Sequence, residues 1–263
     1  MCSIIGYLGD SPAAPILVKG LKRMEYRGYD SVGVATFSGN QILVRKGVGK
    51  VADVNNTVKL DMLSGTVGIG HTRWATHGMV TEVNAHPHPS SSGEIAIVHN
   101  GIIDNYDELK KELQQKGYTF KSETDSEAIA NLLQYNFDQT KDIKKSMMQT
   151  LSELKGNYAF VAVFEDGTLS AARLHEPLII GVGKDGYFVS SDVLGFVEHT
   201  DEVIYPDNRE FIIINSAGIQ IFDFEGAPVQ HQITKVSKEL ADAYKGDYAH
   251  FTLKEISDQP TTV

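Results

Sequence analysis

The apolar positions begin with a short run, Ile4-Ile5-Gly6-Tyr7-Leu8, closed by Gly9-Asp10-Ser11-Pro12. A run of that length with β-branched residues and a turn behind it predicts a buried strand. Ser11 then reads as a helix N-cap with Pro12 at the first helical position, and Ile16, Leu17, Leu21 and Met24 share one helical face. Val32–Phe37 and Gln41–Arg45 flank Ser38-Gly39-Asn40 and predict a hairpin. Two more apolar stretches, Val67–Thr72 and Ile95–Asn100, each run into a polar, glycine-bearing cluster. Side chains that do chemistry are often mounted where a strand gives way to a loop.

A helical block follows. Asn105 with Glu108 resembles a cap for a helix through about Lys116, stopped by Gly117, with Leu109 and Leu113 inward. Thr124 or Asp125 is expected to cap a second helix, on which Ile129, Leu132, Leu133 and Phe137 share a face, and Ile143, Met147, Leu151 and Leu154 mark a third. From Tyr158 the period changes to short strands, Tyr158–Phe164, Leu169–Arg173, Leu178–Gly183, Tyr187–Ser190, Phe211–Asn215 and Gly218–Phe222, separated by turn residues. Hairpin spacing before and after a helical block predicts an α+β fold of mostly antiparallel sheet with packed helices. No linker stands out before about Thr234, and the more polar segment after it closes with no obvious element of its own.

Composition narrows the class. With 263 residues, 41% hydrophobic and 22% charged, the chain can bury a real core without staples. No apolar run approaches the roughly 20 residues of a membrane helix, and the first residues lack the basic and apolar regions of a signal peptide. The net charge is −10 and basic pairs such as Lys22-Arg23, Lys110-Lys111 and Lys144-Lys145 are isolated. Neither nucleic acid nor membrane is therefore an expected partner. One cysteine allows no internal disulfide, which fits a cytoplasmic location.

That cysteine is Cys2. Removal of the initiator methionine would leave it with both a thiol and a free α-amine, and an amine titrating near ~8 can accept the proton of a thiol titrating near ~8.5. Such a residue is a nucleophile carrying its own base. A small buried hydrophobe is the competing reading of a lone cysteine. Other polar clusters are Tyr26–Ser31, His71–Gly78, Asn84–His88, His99-Asn100-Gly101 and Ser122–Asp125. His86 and His88 lack a third metal ligand at supporting spacing, so no metal is expected. His71, His77 and His99 equally suit interior positions.

Taken in order, Met1-Cys2-x-Ile, Glu25–Ser31, His71-Thr-Arg-Trp-Ala-Thr-His-Gly78, Asn84–His88, Val98-His-Asn-Gly-Ile-Ile103, Ser122-Glu-Thr-Asp125 and Lys254-Glu-Ile-x-x-Gln-Pro260 resemble the glutaminase domain of the glutamine–fructose-6-phosphate aminotransferases. These are class II glutamine amidotransferases of the N-terminal nucleophile type. The resemblance implies a four-layer αββα sandwich of two mostly antiparallel sheets between helices. It further implies hydrolysis of glutamine by a Cys2 thiolate, an oxyanion hole from Asn100 and Gly101, and no cofactor. It assigns Arg73 to the substrate α-carboxylate, Asp125 to the α-ammonium, Thr76 and His77 to further substrate contacts, Trp74 to a closing loop, and Arg27 to positioning near the nucleophile. Residues 1–240 form the glutaminase domain on this reading, and 241–263 lead to a sugar-phosphate isomerase half, absent here, in a chain expected to be a homodimer when full length. The family usually has glycine where Ser3 stands; a hydroxymethyl group beside the thiol could crowd the site, but serine is small and activity is expected to be retained. The rival readings are another glutamine amidotransferase with a different acceptor and a glutamine-binding module that has lost turnover.

Overall fold

The computed structural model describes residues 2–75, 78–236 and 257. The expected substrate contacts Thr76 and His77, the domain boundary at residue 240 and the closing Lys254–Pro260 motif lie outside them, apart from Ser257. In chain order the strands are β1 (Ser3–Gly9), β2 (Ser31–Ser38), β3 (Gln41–Val48), β4 (Val67–Arg73), β5 (His88–Pro89), β6 (Ile95–Ile103), β7 (Gly156–Phe164) and β8 (Leu169–Leu174). Then come β9 (Ile179–Gly183), β10 (Gly186–Ser190), β11 (Glu202–Ile204), β12 (Glu210–Asn215), β13 (Gly218–Asp223), β14 (Pro228–Val229) and β15 (Thr234–Lys235). The helices are α1 (Ala13–Arg23), α2 (Val51–Val58), α3 (Tyr106–Gln115), α4 (Ser126–Thr140) and α5 (Ile143–Glu153).

Among the described residues one sheet has the order β15-β11-β9-β10-β1-β4-β2-β3 and the other β14-β13-β12-β8-β7-β6-β5. Every neighbouring pair is antiparallel. Alternation along the strands explains the layers. In β1, Ile4 belongs to the core between the sheets, whereas Ile5 and Tyr7 pack against Leu17 and Leu21 of α1. In β6, Ala96 and Val98 face the first sheet, whereas Ile95 and Ile97 meet Ile129 and Leu133 of α4. Strands covered on both faces read as unbroken apolar runs, which is why β1, β4 and β6 are visible in the sequence without alternation. The result is the expected αββα sandwich, with α1 and α2 outside one sheet and α3, α4 and α5 outside the other.

The helix starts depart from expectation. Helix α1 begins at Ala13, so Pro12 rather than Ser11 occupies the N-cap, and no side chain caps it. Asp125 does precede α4, but its carboxylate is used elsewhere. Asn105 likewise sends its amide to the Glu153 carbonyl and the Lys155 N–H instead of its own helix. Helix α2 was not predicted: it carries Asn55, Asn56 and Thr57, weak helix formers, and exists because Val51 and Val54 bury against the first sheet.

Strand β1 lies in mid-sheet, Ser3 opposite Thr72 of β4 and Ile5 opposite Ser190 of β10. Its first residue therefore emerges beside the end of β4, where Arg73 is paired on its other side with Ser31 at the start of β2. The end of β6 reaches the same place from the other sheet.

Candidate active site

Cys2, Arg27, Arg73, Trp74, Asn100, Gly101 and Asp125 line a single cavity of about 230 Å³, with Glu176 and His99 also in its wall. All seven were expected from the sequence, and they come from β1, the turn after α1, the end of β4, the end of β6 and the approach to α4. The volume is below the ~300–1,000 Å³ usual for drug-sized ligands and suits a molecule of amino-acid size.

The sulfur is held by the backbone that follows β4. The Trp74 N–H donates to Cys2 Sγ at 3.2 Å. Burial pushes the Cys2 thiol up, while the Trp74 N–H and the Arg73 and Arg27 guanidinium groups pull it down. The Cys2 carbonyl accepts from Arg27 Nε and from Asn100 Nδ2, each at 3.2 Å. Arg27 Nη1 also meets Asp192 Oδ2 at 3.3 Å, and that oxygen accepts from the Tyr26 hydroxyl at 2.9 Å. Arg27 thus grips the nucleophile's own backbone, a positioning contact. Asp192 had no place in the sequence reading; it lies 165 residues from Arg27, and no local pattern pointed to it.

Asn100 has two amide hydrogens. Nδ2 donates to the Cys2 carbonyl, Oδ1 accepts from His71 Nε2 at 3.0 Å, and the residue lines the cavity. Gly101 has φ +115°, and a Cβ there would stand 2.0 Å from the Asn157 carbonyl oxygen. Only glycine fits that conformation, which lets β6 continue against β7 at the cavity wall.

Arg73 is 5% exposed and Nη1 donates to the Met79 carbonyl at 3.3 Å. Burial lowers its pKa, opposed by Cys2, Asp125 and Asp30. Asp125 Oδ2 accepts from the Ile103 N–H at 2.8 Å, tying the carboxylate to the end of β6. The Arg73–Ala75 backbone is fixed by Asp30, whose N–H donates to the Arg73 carbonyl at 2.9 Å and whose Oδ2 accepts from the Ala75 N–H at 2.9 Å. The Trp74 ring, 44% exposed, meets Tyr29 edge-on at 5.5 Å.

Ser3 does not crowd the thiol. It is fully buried, and its hydroxyl donates to the Met24 carbonyl at 3.0 Å behind the strand. The alternation of β1 sends Cys2 and Ser3 to opposite faces. His71, His86, His88 and His99 form a buried cluster: His71 stacks on His86 at 4.1 Å, and His86 meets His88 at 4.5 Å. Burial holds all four below the ordinary histidine range, His71 at about 3. A group able to hold a metal occurs among the described residues at Asp207, Glu210 and His231, not at these histidines.

Comparison with known proteins agrees with this geometry. Residues 71–197 match the glutamine amidotransferase domain family. A glutamine–fructose-6-phosphate aminotransferase (isomerizing) of Bacteroides thetaiotaomicron is 46% identical over 268 residues, covering 100% of this chain and 44% of that protein. The chain belongs to the glutamine amidotransferases. The protein of the same name from Pyrococcus horikoshii is 43% identical, again over 100% of this chain and 44% of its own length. The chain thus spans less than half the length of these relatives, so the full-length proteins carry a further domain. Glutamine phosphoribosylpyrophosphate amidotransferase from B. subtilis superposes with a TM-score of 0.74 at 29% identity, over 85% of this chain and 49% of that one. A class-II glutamine aminotransferase domain protein from Silicibacter pomeroyi shares the fold, with a TM-score of 0.56 at 17% identity over 86% of this chain and 100% of its own. Among the described residues of this amidotransferase, no helix is long and apolar enough to cross a membrane.

Proposed function

We propose that this amidotransferase domain hydrolyses L-glutamine to L-glutamate and ammonia, with Cys2 as nucleophile once Met1 has been removed. The observation that carries the reading is the grouping, in one small cavity, of a sulfur, an amide donor beside it, and a guanidinium and a carboxylate suited to the two ends of an α-amino acid. The Cys2 α-amine takes the thiol proton, and the sulfur forms a bond to the glutamine side-chain carbonyl carbon as the C=O electron pair moves to oxygen. Asn100 Nδ2–H and the Gly101 N–H stabilise that oxyanion, each such donor contributing ~2.7–4 kcal/mol.

When the tetrahedral intermediate collapses, the C–N bond breaks and the nitrogen leaves as ammonia with the proton returned by the α-amine. The remaining thioester is attacked by water, the C–S bond breaks, and glutamate and the free thiol are regenerated. Arg73 binds the α-carboxylate through its planar fork, Asp125 binds the α-ammonium, Thr76 and His77 add substrate contacts, and the Trp74 loop shields the thioester from water. Arg27 holds the Cys2 backbone in register.

In the full-length protein we assign the ammonia to the conversion of fructose 6-phosphate into glucosamine 6-phosphate by an isomerase half, in a cytoplasmic homodimer. The names of relatives that match all of this chain support this reading over one with a different acceptor. The test is glutamate release by the chain beginning at Cys2. Turnover lost in Cys2→Ala supports the proposal; glutamine binding without glutamate release refutes it and favours a non-catalytic module.

A further inference from the structure

We infer that His71 is a positioning residue of the oxyanion hole, holding the Asn100 amide with its nitrogen toward the nucleophile. The inference rests on the glutaminase reading above and adds to it the group that makes Asn100 a donor. An asparagine amide presents an NH2 at one end and a carbonyl at the other. Turned one way it stabilises an oxyanion, and turned the other it repels one. Nothing in the residue itself selects between the two.

The selection comes from across the sandwich. His71 lies on β4 of one sheet, on the same face as Ile69 of the inter-sheet core, and Asn100 lies on β6 of the other. His71 Nε2 is 3.0 Å from Asn100 Oδ1 and 3.1 Å from the His99 carbonyl oxygen. Two acceptors face one nitrogen, so that nitrogen carries the hydrogen and shares it between them. A flipped Asn100 would set its NH2 against this N–H and its carbonyl against the Cys2 carbonyl, two repulsions in place of two hydrogen bonds. The ring has little freedom to compensate. It is 1% exposed, stacked on His86 at 4.1 Å, and its Nδ1 has no partner among the described residues. Burial also keeps the imidazole neutral, at a pKa of about 3, so the donor is present and unchanged across the pH range of an assay.

The test uses the chain starting at Cys2 and a double-mutant cycle. His71→Phe keeps the stacked ring and removes the donor; it is expected to lower kcat by about 10–100-fold, part of what the oxyanion donor itself contributes, with KM within about threefold. His71→Gln, which restores a donor, is expected to recover part of the loss. In an Asn100→Ala background His71→Phe is expected to cost nothing further, because the group it positions is gone. An equal loss in both backgrounds, or a loss confined to KM, overturns the inference, as does an Asn100→Ala variant with full turnover. Imidazole nitrogen NMR on the unmutated protein decides the point even where His71→Phe does not fold or no glutamate is released. A hydrogen on Nε2 with no titration from pH 5 to 9 supports it, and a hydrogen on Nδ1 refutes it. Absence of turnover in the unmutated chain sinks the glutaminase reading alone.

Discussion

Four neutral imidazoles buried around the ends of β4 and β6 make stability depend steeply on acid. In the unfolded chain each histidine titrates near ~6.5, whereas His71, His86, His88 and His99 are all held lower by burial, His71 at about 3. Below the unfolded value the unfolded state therefore binds more protons than the folded one, and stability falls as pH falls. Their contribution is fully present above about pH 6.5 and is lost progressively as pH falls below it, for His71 down to about pH 3. From pH 6 to pH 5 each histidine kept neutral in the folded state costs about 1.2 kcal/mol, so His71, His86 and His88, all held well down, together cost about 3.6 kcal/mol and His99 adds to that in the same direction. Asp125, which raises His99, keeps that addition below a full share. The loss is comparable with the whole stability of an ordinary domain, ~5–15 kcal/mol.

Urea unfolding at pH 7.0, 6.0, 5.5 and 5.0, followed by tryptophan fluorescence and by circular dichroism, measures the slope directly. Calorimetry in buffers of different ionisation enthalpy counts the protons taken up on unfolding. A slope below that of one histidine, about 1.4 kcal/mol per pH unit, would refute the neutral cluster. So would uptake of fewer than about two protons near pH 5.

Other substitutions separate the parts of the site. Ser3→Gly removes the hydroxyl bonded to Met24 and adds backbone freedom in a strand, so unfolding free energy should drop by about 1.5–2 kcal/mol while glutamate release changes by less than about tenfold (~1.4 kcal/mol); a larger gain in rate would show the hydroxyl obstructs the nucleophile. Arg73→Lys loses the planar fork and should raise the KM for glutamine on the order of 10-fold or more with a smaller effect on kcat, as steady-state kinetics will show. Gly101→Ala drives a Cβ into the Asn157 carbonyl at a positive φ, and denaturant titration should register a loss on the order of 2 kcal/mol or more. Unchanged stability there would mean that the β6 bend relaxes freely.

Much of the site was legible because its residues cluster at strand ends. Cys2, Arg73 and Asn100-Gly101 each close or open an apolar run, and antiparallel pairing through β1, β4 and β6 brings those ends together. What was not legible depended on tertiary neighbours. Asp192 gains its role only when β10 lies beside β1, and no local pattern links it to Arg27. The histidines looked like either ligands or interior residues until the stacking of His71 on His86 and the contact of His71 with Asn100 showed how they are packed. Asp125 and Asn105 occupy cap positions by residue type, yet stronger tertiary acceptors and donors claim their side chains. The strands at 88–89, 202–204, 228–229 and 234–235 are too short to show a period, and α2 is built by burial against helix propensity.

The central claim is that Cys2 carries the acyl group of glutamine. It is tested most directly by intact-mass and peptide analysis of the chain beginning at Cys2 after reaction with a glutamine analogue bearing an electrophilic ketone in place of the amide. The account predicts one adduct per chain, on the peptide that begins with Cys2, blocked by excess glutamine and absent from Cys2→Ala. Modification elsewhere, or none while glutamate is still released, would contradict it.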